Sequence, residues 1–206
     1  MIGIIDYGVG NLFSLKSSFE AIGVETFVSG DAAELDKADK LVLPGVGAFG
    51  DAAAKLRQTG LDAYVRTKAA TGVPLMGICL GMQLLFEKSF EYGEHEGLGL
   101  LKGQVVPMSG KLPKELKIPH MGWNSLHFTN SKSRLFSNIK EGDFVYFVHS
   151  FYAEGCSDSL AATTHYGIAL TAAVEKDNIF GCQFHPEKSG NAGLGILKAF
   201  SAVKGA

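Results

Sequence analysis

The stretch best equipped for chemistry is Gly77-Ile78-Cys79-Leu80-Gly81, inside the run Val73–Phe86. Apolar residues of strand length lead into it, and Met82, Leu85 and Phe86 follow at helical spacing. The pattern predicts a strand, a tight turn and a helix, with Cys79 at the apex. A side chain on such a strained turn leaves little room for neighbouring Cβ atoms, and Gly77 and Gly81 supply that room. The arrangement is the thiol counterpart of the G-x-S-x-G elbow. An apex at a helix N-terminus favours an anion, because the N–H groups there have no intrahelical acceptor. The N–H of Leu80, next in the chain, points to where an oxyanion would form. The competing reading is structural: free cysteine is among the most buried residue types.

A thiol nucleophile needs a base, and the base needs a group to orient it. Phe184-His185-Pro186-Glu187-Lys188 offers both. In an extended chain residues i and i+2 share a face, so His185 and Glu187 point the same way, with Pro186 expected to hold the backbone extended between them. The carboxylate would accept from one imidazole nitrogen while the other faces the thiol. A solvated surface loop is the alternative for this segment alone. The second oxyanion donor is expected from Pro44-Gly45-Val46-Gly47, where glycines on both sides of Val46 let a peptide plane turn its N–H inward or outward. An ordinary βα turn is the alternative there.

Other motifs carry less. Tyr7-Gly8-Val9-Gly10-Asn11 superficially resembles a phosphate loop, but lacks the G-K-[ST] ending. His149-Ser150-Phe151-Tyr152 follows an apolar strand and could line a pocket. His95, His120, His127 and His165 have no matched partners in the sequence and are assigned to surface or structure. Cys182 is expected in the core, and Cys156 in a polar loop, inert. No C-x-x-C or H-x-x-x-H pair offers a metal site.

The elements that must position these groups alternate. Strands are expected at Ile2–Ile5, Val24–Val28 and Lys40–Leu43. Helices are expected from Leu12 to Ile22, stopped by Gly23, at Asp51–Arg57 and at Leu61–Ala70, with a short one or a turn at Asp31–Lys37. Such alternation argues for a mostly parallel central sheet flanked by helices, whose ligands bind beyond the carboxyl ends of the strands. Asp6, Pro44 and Cys79 all fall at those ends. The second half reads as short strands at Gln104–Val106, Lys117–His120, Asp143–Val148, Leu160–His165, Ile168–Val174 and Ile179–Phe184. A hint of helix lies at Ser133–Ile139. A final helix, Asn191–Val203, turns Leu194, Leu197 and Phe200 inward. This half adds antiparallel strands to the parallel core. The 206 residues fit one domain, with no linker or internal repeat. Hydrophobic residues make up 46% and charged residues 19%, with a formal net charge of -2 and no long basic run, which excludes nucleic acid or an anionic membrane as the expected partner. No apolar run approaches the ~20 residues of a membrane span. Met1–Asp6 acquires a charge at once and reads as a first strand rather than a signal peptide. Three scattered cysteines suggest a reducing, cytoplasmic setting.

With these motifs in order, the chain resembles the class I (triad) glutamine amidotransferases: G-I-C-L-G-M-Q around Cys79, P-G-V-G at 44–47 and F-H-P-E at 184–187. More narrowly, D-Y-G-V-G-N at 6–11, P-G-V-G-A-F at 44–49, P-H-M-G-W-N at 119–124 and Y-F-V-H-S-F at 146–151 resemble the glutaminase subunits of imidazole glycerol phosphate synthases, enzymes of histidine biosynthesis. The resemblance implies a flavodoxin-like amidotransferase fold and a Cys79–His185–Glu187 triad acting on L-glutamine without a cofactor. It implies oxyanion donors at Leu80 and the Gly45–Val46–Gly47 loop, and substrate contacts from Gln83, Glu91, Ser150 and Phe151. It also implies a heterodimer with a (βα)₈-barrel cyclase subunit, which receives the ammonia, with Asn11, Trp123, Tyr146 and Lys188 near that interface. From residue type alone Trp123 suits an exposed partner contact or a core position equally. Two other readings stay open at this stage: a stand-alone cysteine hydrolase or another synthase's subunit on the same fold, and a non-catalytic module binding phosphate at Gly8–Asn11.

Overall fold

The computed structural model describes residues 1–130 and 132–205. The first half runs β1 (Ile2–Ile5), α1 (Leu12–Ala21), β2 (Thr26–Ser29), α2 (Ala32–Leu35), β3 (Lys40–Leu43), α3 (Phe49–Gln58), α4 (Leu61–Ala70), β4 (Leu75–Ile78) and α5 (Leu80–Leu84). After it come β5 (Phe86–Ser89), β6 (His95–Glu96), β7 (Leu101–Pro107), β8 (His120–Ser125), β9 (His127–Phe128), β10 (Phe144–His149), β11 (Phe151–Glu154), β12 (Leu160–Tyr166), β13 (Ile168–Lys176), β14 (Ile179–Cys182) and α6 (Gly190–Ala202).

An eight-stranded sheet in the order β2-β1-β3-β4-β14-β13-β12-β9 forms the frame. The pairings from β2 through β14 are parallel, and those from β14 to β9 are antiparallel. The parallel strands are apolar throughout because both faces are covered. Ile5, Leu41, Leu43 and Leu75 face one core, with Phe49, Leu56 and Val65 of α3 and α4. Ile2, Ile4, Val42, Met76 and Ile78 face the other, with Leu15 and Phe19 of α1 and Leu197 and Phe200 of α6. Phe19 has no exposed surface, and burying a side chain of that size stabilises by roughly 2–3 kcal/mol.

Several boundaries depart from expectation. The helix after Cys79 does not reach Phe86. The carbonyls of Leu84, Leu85 and Phe86 accept instead from the N–H groups of Leu98, Leu100 and Gly99, at 2.7, 2.9 and 3.0 Å. With those acceptors taken the helix cannot propagate, and Phe86 opens β5. A second, four-stranded sheet in the order β11-β7-β5-β6 takes in this segment; of its strands the sequence signals marked only β7, at Gln104–Val106. Lys117–Pro119 is not strand; the strand starts at His120, since Pro119 has no N–H to offer a ladder. Ser133–Ile139 contains only a 3₁₀ turn, Arg134–Phe136. In α6 the inward face is Gly193, Ile196, Leu197 and Phe200, with Leu194 half-buried. A Cβ at residue 193 would lie 1.9 Å from the Pro186 carbonyl oxygen, so that side of the helix sits hard against the turn carrying His185 and Glu187.

Candidate active site

Parallel register brings the distant motifs together. In the pairing of β14 with β4, Cys182 lies beside Ile78, so the chain beyond β14 runs alongside Cys79. The Cys79 N–H donates to the Cys182 carbonyl at 2.8 Å. In the pairing of β3 with β4, Leu43 lies beside Gly77, which sets Pro44–Gly47 against the same elbow.

Cys79 has φ 54 and ψ −112, outside the regions a non-glycine residue prefers, and is 8% exposed. The neighbouring glycines are sterically obligatory. A Cβ on Gly81 would lie 1.8 Å from the Leu43 carbonyl oxygen, and one on Gly77 would lie 2.6 Å from the Gly81 carbonyl oxygen. A Cβ on Gly45 would lie 2.7 Å from the Gly81 nitrogen. Elbow and loop therefore pack backbone to backbone. Tyr7 fixes the loop from behind, its hydroxyl donating to the Pro44 carbonyl at 2.8 Å.

Past β14, the His185 N–H donates to the Tyr146 carbonyl at 2.9 Å. Ser189 Oγ donates to the His185 carbonyl at 2.6 Å and accepts from the Tyr146 N–H at 2.9 Å. The segment between His185 and Glu187 is not extended as expected: Pro186–Lys188 forms a 3₁₀ turn with Pro186 in its first position. The two side chains meet all the same, His185 Nδ1 and Glu187 Oε1 lying 2.9 Å apart with both side chains buried. Burial by itself would lower the His185 pKa. Hydrogen bonds to Cys79 and Glu187 outweigh it and raise the value to about 10, so the imidazole is protonated at neutral pH.

A cleft of about 320 Å³ opens over this group. Val46, Gly47, Cys79, Leu80, Gln83, Glu91, Ser150, Phe151 and His185 line it. Gly47 has φ +93, and Val46 is 44% exposed. Gly45 does not line the cleft; with Glu187 and Asn11 it lines a smaller cavity, to which Val46 and His185 also contribute. Glu91 also holds the start of α3: its Oε2 accepts from the Phe49 N–H at 2.6 Å. Burial raises its pKa against that bond. Trp123 proves exposed, at 55%, rather than core, and stacks edge-on to Tyr146 at 6.1 Å. Lys188 Nζ lies 5.9 Å from the Tyr146 ring.

The sequence reading missed three groups. Gln183 is wholly buried beside the elbow, its Nε2 3.7 Å from Cys79 Sγ. It sits two residues before His185, a spacing that signals a shared face in an extended chain. His120 is not without a partner. Its Nδ1 lies 3.0 Å from His149 Nε2, and its Nε2 lies 3.3 Å from Asn124 Nδ2. Asn124 Nδ2 can only donate, so His120 accepts there and donates from Nδ1 to His149, whose Nδ1–H is left for the Phe151 carbonyl at 2.8 Å. Burial lowers the pKa of His120 to about 4 and is the main cause that lowers that of His149 to about 3, so both rings are neutral. No local signal links residues 120 and 149; the antiparallel register of β8 and β10 sets them opposite. Tyr7 is the third. The phosphate reading of its loop finds no support: the Gly8 N–H, which would face an anion, is taken by Asp6 Oδ1 at 2.9 Å. Cys182 is fully buried, and Cys156 is buried with Sγ 3.5 Å from Thr171 Oγ1. Among the described residues no cluster suited to a metal is found, and no helix is long and apolar enough to cross a membrane.

Comparison with known proteins agrees with this geometry. The family model described as glutamine amidotransferase class-I matches residues 3–201. An imidazole glycerol phosphate synthase subunit HisH from Caldanaerobacter subterraneus is 52% identical over 204 residues, covering 98% of each chain. The subunit of the same name from Bacillus subtilis is 50% identical over 206 residues, covering 98% of this chain and 96% of its own. A crystal structure described as a glutamine amidotransferase superposes with a TM-score of 0.75 at 18% identity, covering 98% of this chain and 99% of its own. The PurLQS structure from Thermotoga maritima gives a TM-score of 0.75 at 22% identity, covering 97% of this chain and 96% of its own. At such identities these two speak to the fold.

Proposed function

The chain belongs to the class-I glutamine amidotransferase family, and on that premise we propose that it is the glutaminase subunit of an imidazole glycerol phosphate synthase in histidine biosynthesis. It hydrolyses L-glutamine to glutamate and ammonia. The observation that carries this is the positive-φ Cys79 in one cleft with His185, whose Nδ1 is bonded to buried Glu187.

In the resting pair His185 already holds the proton that Cys79 gives up, and the thiolate attacks the side-chain amide carbon of glutamine. The oxyanion forms near the Leu80 N–H, which has no internal acceptor among the described residues, and near the Val46–Gly47 peptides. Collapse breaks the C–N bond, and His185 gives its proton to the departing nitrogen, which leaves as ammonia. Neutral His185 then takes a proton from water as it attacks the thioester, glutamate departs, and the thiolate–imidazolium pair is restored. Glu187 orients the ring and balances its charge. The substrate's amino-acid end lies against Gln83, Glu91 and the backbone of Ser150 and Phe151. Both Nε2 protons of Gln83 are engaged, by Phe151 and Gln183. Its Oε1 and the second oxygen of Glu91 remain as acceptors suited to an α-ammonium group.

Ammonia passes to a (βα)₈-barrel cyclase subunit that makes imidazole glycerol phosphate and AICAR. The docking face includes Asn11, Trp123, Tyr146 and Lys188; an exposed tryptophan paired with a tyrosine suits an interface anchor. Gly47 lets the Val46 loop present its donor inward or outward, and docking would favour the inward form. Two measurements test this. With the barrel present, Cys79→Ala abolishes glutamine-dependent turnover while added ammonium still feeds the cyclase; full glutaminase activity in that variant would overturn the reading. Glutamate release by the chain alone is slow and rises on adding the barrel subunit; an equal rate without it would remove the partner's role.

A further inference from the structure

We infer that Gln183 is a catalytic residue: its side-chain N–H donates to Cys79 Sγ and holds the sulfur as a thiolate ready to attack. The inference rests on the reading of Cys79 as the nucleophile.

The orientation of the two carboxamides follows from what they face. Gln83 lies within 3.2 Å of the Phe151 carbonyl oxygen. A carbonyl only accepts, so the Gln83 atom there is Nε2, a donor. The same nitrogen lies 2.9 Å from Gln183, so the Gln183 atom facing it must be the acceptor, Oε1. That fixes the other end of Gln183 as the NH₂ group, 3.7 Å from Cys79 Sγ. An NH₂ group has nothing to accept with, so the sulfur must present lone pairs to it. A hydrogen bond to the charged form of a group favours that form, and more strongly when both partners are dry. Gln183 is wholly buried and Gln83 is 5% exposed. Their chain of bonds runs from the main chain at the substrate rim, Phe151, to the sulfur. Backbone holds Gln183 in register as well, its N–H donating to the Ala172 carbonyl at 2.8 Å. His185 supplies the opposite charge to the sulfur from the other side; Gln183 supplies a donor that keeps its proton throughout the cycle.

The experiment is alkylation of Cys79 by iodoacetamide across pH 4 to 9 in the full chain, with Cys79→Ala as the blank for the other thiols. Gln183→Met keeps the volume and removes the donor. It is expected to move the midpoint of the alkylation profile up by about one pH unit, which slows the reaction by roughly tenfold at pH values below both midpoints. In the complex with the barrel subunit the same variant loses kcat with KM changed less. Gln183→Glu, which turns an acceptor oxygen toward the sulfur, is slower again. Where either variant fails to fold, the unsubstituted chain labelled with ¹⁵N glutamine decides: the Gln183 side-chain amide signal shifts as Cys79 titrates. An unchanged alkylation midpoint in folded Gln183→Met, or an amide signal indifferent to Cys79, overturns the inference. A Cys79 that resists alkylation in the unsubstituted chain would instead overturn the reading of the nucleophile.

Discussion

At φ 54, Cys79 holds a conformation that costs a non-glycine residue of order 1–3 kcal/mol. The sheet on either side enforces it, and the thiol is turned out of the strand toward His185 as a result. The imidazole is the more informative partner. Burial acts to discharge it, yet its bonds to Cys79 and Glu187 keep it charged well past neutrality. Glu187→Gln keeps the shape and removes the charge. Its kcat is expected to fall by roughly 10²- to 10⁴-fold. The His185 pKa drops toward its ordinary value, so the alkaline limb of the pH–rate profile moves to lower pH. Steady-state kinetics from pH 6 to 10 checks this; a profile superimposable on that of the unsubstituted chain would remove Glu187 from the mechanism.

Between elements, the decisive contact is backbone on backbone. β3, β4 and α5 meet where Leu43, Gly45, Gly77 and Gly81 leave no room for a Cβ. Gly81→Ala would push the elbow off the end of β3, at a cost expected to exceed ~3 kcal/mol, with the Pro44–Gly47 loop displaced in the same step. Thermal unfolding measures the loss; a melting temperature within a degree or two of the parent would contradict the close approach. This layer was largely legible. The run Val73–Ile78, the glycines and the apolar spacing of α1 each carry their own signal, and β1 and β3 fall where expected. The end of α5 was not legible, because the N–H groups that claim the carbonyls there arrive from residues 98 to 101, after strands β5 and β6 that the sequence did not mark.

Over the whole molecule, three buried histidines shape stability against pH in opposite directions. His120 and His149 accept protons near 6.5 in the unfolded chain but only near 4 and 3 when folded. Below pH 6.5 the unfolded state therefore binds more protons, and stability falls as pH drops toward 4. His185, raised to about 10, contributes stability that is complete below pH 6.5 and lost as pH climbs toward 10. The melting temperature is expected to peak near pH 6.5 and fall on both sides. His149→Gln, which removes one of the reluctant bases, flattens the acid side. An acid limb of unchanged slope in that variant would exclude His149 as its source.

The sequence by itself determined the alternation of strand and helix, the elbow at Cys79 and the pairing of His185 with Glu187, because each depends on residues within a few positions of one another. Only the tertiary structure decided what surrounds them. The Gln83–Gln183–Cys79 chain joins residues about a hundred positions apart, and the His120–His149 pair depends on the register of two strands. Hydrogen-bond partners across a sheet are fixed by register and crossover, which no local spacing encodes.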